Sequence, residues 1–211
     1  MVVTPDGCPV EVYASLPPEP ELSAVLELCT VPTGRVLDLG AGAGRIADPL
    51  AERGFDVLAV DESAEMLDQV RSARTHRSRI ESLALDEQFD VALLLSHLIN
   101  VPKPSQRRDL LRVVARHLAP DGIAIIQRHD PTSRFAPGWV TRGPVEVGLT
   151  DVDTARWPEV TAVTHYRTAN GAWAQAWHAH VLDDDATTAE LQVVGLQPHS
   201  LTGKWVTARH A

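Results

Sequence analysis

Apolar residues in the first two thirds of the chain fall into short continuous runs separated by helical stretches, the pattern of strands buried on both faces. Val36-Leu37-Asp38-Leu39 is the first run, and it leads directly into a loop in which Gly40, Gly42 and Gly44 alternate. Arg45 to Arg53 reads as a helix. Phe55-Asp-Val-Leu-Ala-Val60 is a second buried strand ending on Asp61, and Ser63 caps a predicted helix to Ser72 with Met66, Leu67 and Val70 on one face. Phe89-Asp-Val-Ala-Leu-Leu-Leu95 is another strand. A helix over Ser105 to His117, opened by a capping serine, buries Leu110, Leu111, Val114 and Leu118; Leu118 to Ile126 reads as the helix end, a Pro120-Asp121-Gly122 turn and a further strand. Strands alternating with helices predict a parallel sheet covered on both faces. Ahead of this core, Val10 to Leu16 and Glu21 to Cys29 read as helices split by Pro17, Pro18 and Pro20, which cannot continue a helix.

After residue 130 the pattern changes. Val160 to Leu182 reads as two strands joined by Asn170-Gly171, a strong hairpin signal. A two-residue turn there sets Thr168 opposite Trp173, Tyr166 opposite Gln175 and Thr164 opposite Trp177. Trp173, Trp177 and Tyr166 then share one face, and His165, Arg167, His178 and His180 the other. Val145 to Val152 is a third strand. Asp183 to Val194 reads as a helix with an acidic first turn, Gly195 ends it, and Leu196 to Leu201 and Trp205 to Arg209 follow as strands.

The glycine loop carries chemistry. Glycine permits positive φ and close approach of backbone amides to a ligand, and the following helix points its N-terminus at the same place. Asp61, about twenty residues on, can accept both hydrogen bonds of a ribose diol. Dinucleotide sites space their glycines G-x-G-x-x-G, whereas here the run is G-x-G-x-G with Arg45 in the later position. Asp38 is more telling: a carboxylate at the mouth of the loop repels a pyrophosphate but suits a cofactor presenting an ammonium and a sulfonium.

The pattern D-x-G-x-G-x-G followed by an acidic residue closing the second strand resembles the class I S-adenosylmethionine-dependent methyltransferases. Phe89 to Leu95 with Ser96-His97-Leu98-Ile99-Asn100 looks like that family's fourth strand and following motif, and Leu118 to Ile126 like its fifth strand. The resemblance implies a seven-stranded, mostly parallel Rossmann-like sheet with helices on both faces, closed by the Leu196 to Arg209 hairpin, plus a small antiparallel β insert. In small-molecule members, sugar N-methyltransferases included, such an insert roofs the substrate cleft and supports dimerisation. It also implies S-adenosylmethionine as cofactor. Asp38 and the Gly40 backbone would hold the methionine end, Asp61 the ribose, and Glu62, Ile80 and Glu81 the surroundings of the nucleoside. Ser96 and His97 would line the cofactor's inner face, Tyr13 would cover it, and Ala41, Gly42, Arg45 and Met66 complete the set. One departure stands out: Arg79 occupies the place of an acidic residue that contacts adenine in many relatives, leaving Ile80 for the ring face and Glu81 as a substitute.

At 211 residues, 44% hydrophobic and 22% charged, the chain suits a single domain. Residues 1–33 form a helical cap, 34–128 the cofactor core, about 144–182 the insert, and 183–211 the closing helix and hairpin. A net charge of −9 argues against nucleic acid as partner, so the basic run Arg71 to Arg79 reads as a solvated helix end and loop. Cys8 and Cys29 have neither metal-ligand spacing nor a disulfide framework, and the N-terminus has no leader pattern and the chain no membrane-length apolar run, which together predict a cytoplasmic protein. No metal is expected, because no carboxylate or thiolate at metal spacing accompanies His165, His178 and His180.

His97 and His129 follow the carboxyl ends of predicted parallel strands, where open α/β sheets assemble their sites. His129 is the candidate general base, with Asp130 as orienting partner and His97 as competitor. Tyr166, Trp173 and Trp177 are candidate substrate contacts, and the insert a homodimer surface. The activity expected is methyl transfer to a nitrogen or oxygen nucleophile of a small molecule in biosynthesis. The alternatives are a cyclase-like catalyst that binds the same cofactor without demethylating it, and a cofactor-binding module without turnover.

Overall fold

The proline-split N-terminal segment forms α1 (Val10–Ser15) and α2 (Glu21–Leu28). The core then runs β1 (Arg35–Leu39), α3 (Ala47–Glu52), β2 (Asp56–Asp61), α4 (Ala64–Leu67), β3 (Arg74–Arg77), β4 (Phe89–Leu94), α5 (Pro104–His117) and β5 (Leu118–Gln127). Four strands follow: β6 (Gly138–Arg142), β7 (Val145–Asp153), β8 (Glu159–Thr168) and β9 (Gly171–His180). The chain closes with α6 (Asp184–Val193), β10 (Leu196–Thr202) and β11 (Trp205–His210). The structure is a computed structural model that describes Gly7, residues 9–29 and residues 31–211. Cys8 and the Met1 to Asp6 segment, on which the thiol and leader readings partly rest, lie outside the described residues.

Seven strands form one sheet in the order β10-β11-β5-β4-β1-β2-β3, with β11 antiparallel to β5 and to β10 and all other pairs parallel. The chain leaves β1 toward β2 on one side and returns to β4 on the other. The order therefore reverses between β1 and β4, and their carboxyl ends frame the crevice where such sheets bind ligands. Both faces are covered: Leu37 and Leu39 of β1 pack in a cluster with Leu111 and Val114 of α5, and Val36 in another with Val25 of α2 and Leu50 of α3.

Several local expectations change in physical detail. Ser63 caps α4 as predicted, its Oγ accepting from Met66 N at 3.2 Å, but the helix is a single turn and Val70 lies beyond it. The helix after the glycine loop begins at Ala47, not Arg45. Ser105 is not a cap: α5 opens with Pro104 at its first turn, where a missing N–H costs nothing. Pro120-Asp121-Gly122 is an irregularity inside β5, whose pairing jumps from Phe89–Leu118 to Val91–Ile123. The basic run is not helix end and loop: Arg74 to Arg77 form the edge strand β3, every residue of it exposed.

The insert has four strands and begins at Gly138, ahead of the boundary near 144. Its hairpin pairs Thr168 with Gly171, Tyr166 with Trp173, Thr164 with Gln175 and Ala162 with Trp177, so the turn is Ala169-Asn170 and the register is displaced by two residues. Side chains alternate with period two, so this displacement keeps the Tyr166, Trp173 and Trp177 face intact. That face lies over α1, where Val12 and Val145 are buried and Tyr13, Val147, Tyr166 and Trp173 pack around them. Buried Arg128, just past β5, fixes α6 and the closing hairpin: Nη1 donates to Leu182 O and Thr187 Oγ1, Nε to Gly203 O, and Nη2 pairs with Asp184. Among the described residues no helix is long and apolar enough to cross a membrane.

Candidate active site

The loop after β1 is tied to β2 by Gly40 N and Ala41 N, both donating to Val60 O at 2.8 and 2.9 Å. Gly40 has φ +73°, a left-handed conformation that strains any residue with a Cβ, and a Cβ there would also have to displace the tip of Leu98, 2.8 Å away. Gly42, at φ +56°, would meet nothing within 4 Å on the side that lines the cavity. Asp61 organises the loop from β2: Oδ2 accepts from Gly42 N and Oδ1 from Ser63 N, each at 2.9 Å. Carboxylate oxygens have lone pairs to spare, so these bonds leave acceptor capacity for a diol.

A cavity of about 370 Å³ opens at this crevice. It is lined by Asp38, Gly40, Ala41, Gly42 and Arg45 from the loop, Asp61, Glu62 and Met66 from β2 and α4, Ile80 and Glu81 after β3, Ser96 after β4, and Tyr13 of α1. Sequence reasoning also singled out His97 for this wall. The structure corrects that: His97 does not line the cavity. Arg79, set aside as a departure, does line it, ion-paired with Glu62 and Glu81 at 3.9 and 3.6 Å. Leu95, Leu98 and Val101 supply apolar wall and were missed, because apolar residues after a strand carry no signal distinct from core.

Asp38 is 2% exposed. Burial pushes its carboxyl up to about 7, with Arg45 opposing and Asp61 adding to the rise. Such a group is stabilised as an anion by a cationic ligand, which fits the ammonium of S-adenosylmethionine.

His97 and His129 meet instead beside the cavity. Their rings stack at 4.2 Å with 10° between planes, and His129 stacks in turn on Trp177 at 5.5 Å with Phe135 edge-on at 5.1 Å. Ser96 and His97 both adopt left-handed backbone, φ +53° and +59°, a costly conformation for non-glycine residues that the surroundings must enforce. Gln127 Oε1 does so by accepting from Ser96 N at 2.9 Å. Asn100 sets the other side, its Oδ1 accepting from His129 N at 2.7 Å and its Nδ2 donating to His180 O at 2.8 Å. Gln127, Asn100 and Phe135 were unassigned by sequence; a buried amide after a strand is the signal that would have found the first two.

The general base expected of His129 needs an imidazole that titrates near neutral pH. Burial, reinforced by His97, lowers it to about 3. Burial also lowers His97, with the backbone of Arg128 opposing the shift. Its Nδ1 is buried and has no hydrogen-bond partner. Both imidazoles are neutral at pH 7, so a full proton transfer to His129 is costly. Trp177 Nε1 donates to Thr164 Oγ1 at 2.9 Å, and Tyr13 OH to Gln175 Oε1 at 3.4 Å, tying the insert to itself and to α1.

On the opposite face of the insert a carboxylate does accompany the histidines: Glu159 accepts from His178 Nε2 and His180 Nδ1, each at 2.5 Å. These pairs direct the ring nitrogens at the carboxylate, and no group of three or more His, Cys, Asp or Glu among the described residues is arranged to hold a metal ion.

Residues 36–122 match the model of a methyltransferase domain. An uncharacterized methyltransferase of Mycobacterium tuberculosis is 38% identical over 112 residues, covering 51% of this chain and 43% of the relative, so the chain spans less than half of that protein's length. The CcbJ methyltransferase from Streptomyces caelestis has the same fold, with a TM-score of 0.71 at 19% identity over 99% of each chain. So does S-adenosylmethionine-bound CalS10, an amino pentose methyltransferase from Micromonospora echinaspora, with a TM-score of 0.67 at 18% identity over 90% of each.

Proposed function

This chain carries a methyltransferase domain on the class I methyltransferase fold, and from that premise we propose that it moves a methyl group from S-adenosylmethionine to an amine nitrogen of a small molecule. The observation that carries the transfer is the buried Asp38 under a glycine loop whose far side is organised by Asp61. Asp38 would take the cofactor's ammonium, Asp61 its ribose, and Ile80 and Glu81 the adenine side. When bound, the cofactor supplies an activated methyl on sulfur. The protein's own work is alignment and exclusion of water.

The choice of nitrogen rests on the ring stack. An alcohol or phenol must lose a proton to a base, and an imidazole at about 3 is a poor one. An amine reaches its nucleophilic form by losing a proton to water and then needs only to be held. His129, Trp177 and Phe135 give it an apolar wall, and Tyr166 and Trp173 of the same insert extend that wall toward Tyr13. His129 is thus a positioning contact in this reading, and His97 supports it from behind through the ring stack.

The protein would act as a homodimer through the insert, whose β6 edge carries Val140 and Trp139 exposed, and sedimentation velocity at tens of micromolar measures that. Cys29, a free thiol, suits the cytoplasm. Incubating the protein and methyl-labelled cofactor with extract of its host, followed by mass spectrometry, tests the activity. Demethylated cofactor and an N-methylated product are expected. Label on oxygen would remove the amine assignment, and converted substrate without demethylated cofactor would replace methyl transfer by a cyclase-like reaction.

A further inference from the structure

Glu21, at the start of α2, is a buried carboxylate on which three cations from distant parts of the chain converge. Its Oε2 accepts from Arg45 Nη1 at 3.1 Å and from Arg142 Nη2 at 2.7 Å, and Lys204 Nζ lies 3.6 Å from Oε1. Arg45 lines the cofactor cavity, Arg142 ends β6 of the insert, and Lys204 sits in the β10–β11 turn. Burial alone would raise this carboxyl, but Arg142, Arg45 and Lys204 together hold it below the usual range.

We infer that Glu21 is a positioning residue for the methyl donor, aiming the Arg45 guanidinium at the donor's carboxylate and tying that aim to Arg142 of the insert. The inference rests on the cofactor reading of the cavity. Every hydrogen bond of Arg45 among the described residues is made by Nη1, to Glu21 and to the Pro17 and Pro18 carbonyls at 3.2 and 3.4 Å. Nε and Nη2 form the remaining edge of a planar fork suited to a carboxylate. A buried ion cluster is a weak source of stability, because desolvation offsets the Coulombic gain. Its specific product is direction. Arg142 also donates to Glu19 O at 3.1 Å, so the end of β6 is fixed to the same proline-rich segment that holds Arg45. An insert strand and a cofactor-binding side chain therefore share one carboxylate atom, and what disturbs one is felt by the other.

The test is calorimetry of S-adenosylhomocysteine and of 5′-methylthioadenosine, which keeps the nucleoside thioether but lacks the amino-acid carboxylate. Arg142→Ala, well outside the cavity, is expected to weaken S-adenosylhomocysteine by about fivefold to tenfold and 5′-methylthioadenosine by less than about twofold. Arg142→Lys restores most of the loss. Glu21→Gln gives a loss at least as large, and the double variant is no worse than Glu21→Gln alone. Equal losses for the two ligands, additive losses, or S-adenosylhomocysteine affinity unchanged in both single variants would overturn the inference and leave the cluster a staple. Should Glu21→Gln fail to fold, the Arg142 pair of variants and the two ligands still decide it. Wild-type protein that binds neither ligand would instead sink the cofactor reading of the cavity.

Discussion

At the scale of single residues, two buried groups make opposite predictions about pH. Asp38 is held at about 7, so part of the population carries a proton near neutrality. A bound ammonium favours the ionised form, and cofactor binding below pH 7 therefore expels a proton. Calorimetry at pH 6 in two buffers of different ionisation enthalpy should show release approaching one proton per cofactor. Asp38→Asn should abolish the release and cost about 1.5 to 3 kcal/mol of binding. His129 runs the other way. Its folded value of about 3 lies below the ordinary 6.5, so the unfolded chain protonates first as pH falls. The stability from keeping this ring neutral is complete above about pH 6.5 and declines steadily below it. Between pH 7.5 and 5 the wild type should lose about 2 kcal/mol through this group that His129→Asn does not lose. Urea unfolding of both proteins at both pH values measures the difference, and the opposing contribution of Asp38 cancels in the comparison. A variant with the same pH slope as the wild type would mean that the stack does not exclude a proton.

At the scale of elements, legibility followed the strength of local signals. The buried strands β1, β2, β4 and β5 were evident because each is an apolar run bounded by charges or glycine, and their carboxyl ends located the cavity. β3 was lost because an edge strand exposed on both faces has the composition of a loop. β6 was lost because five residues opening on glycine show no alternation. The hairpin turn fell one residue early, shifting the register by two, for a different reason: Asn170-Gly171 favours a particular turn, but the long β7–β8–β9 pairing sets the register, and tertiary pairing outweighed turn chemistry. Of the site, the backbone cradle and carboxylates were readable from spacing, and the shared sheet edge of His97 and His129 from their place after strands, whereas their stacking on each other and on Trp177 was not. An unanticipated device is Asp48 of α3, whose carboxylate accepts from the backbone amides of Arg71, Ser72 and Ala73 and so seats the segment entering β3. Asp48→Ala should lower stability by about 1 to 2 kcal/mol in urea unfolding, the amides being able to turn to water. It should also weaken cofactor binding, because Ser78 to Glu81 hang from that strand.

At the scale of the whole molecule, the cofactor crevice is the place where α1, the glycine loop and the ends of β2 and β4 come together, with the four-stranded insert packed on α1. A ligand bound there stabilises the folded state by mass action. S-adenosylhomocysteine at one hundred times its dissociation constant should add about 2.7 kcal/mol. In a domain of this size that corresponds to a rise of roughly 5 to 10 °C in Tm by scanning fluorimetry. NAD should give no rise, because Asp38 meets its pyrophosphate with like charge. Stabilisation by NAD instead would remove the reading of the glycine loop on which the function rests.

The exposed strand β3 has a consequence for how this protein behaves in company. It ends the large sheet, paired with β2 on one side only, and such an edge offers a row of backbone amides and carbonyls to any passing chain. Arg74, Thr75, His76 and Arg77 make it a poor docking rail, since a second copy arriving in the same orientation would set arginine against arginine. Replacing Arg74 and Arg77 with valine would keep the strand and discharge its border. Concentrated solutions of that variant should scatter light on mild warming while wild-type solutions stay clear, which would make the basic run a guard against edge-to-edge self-association.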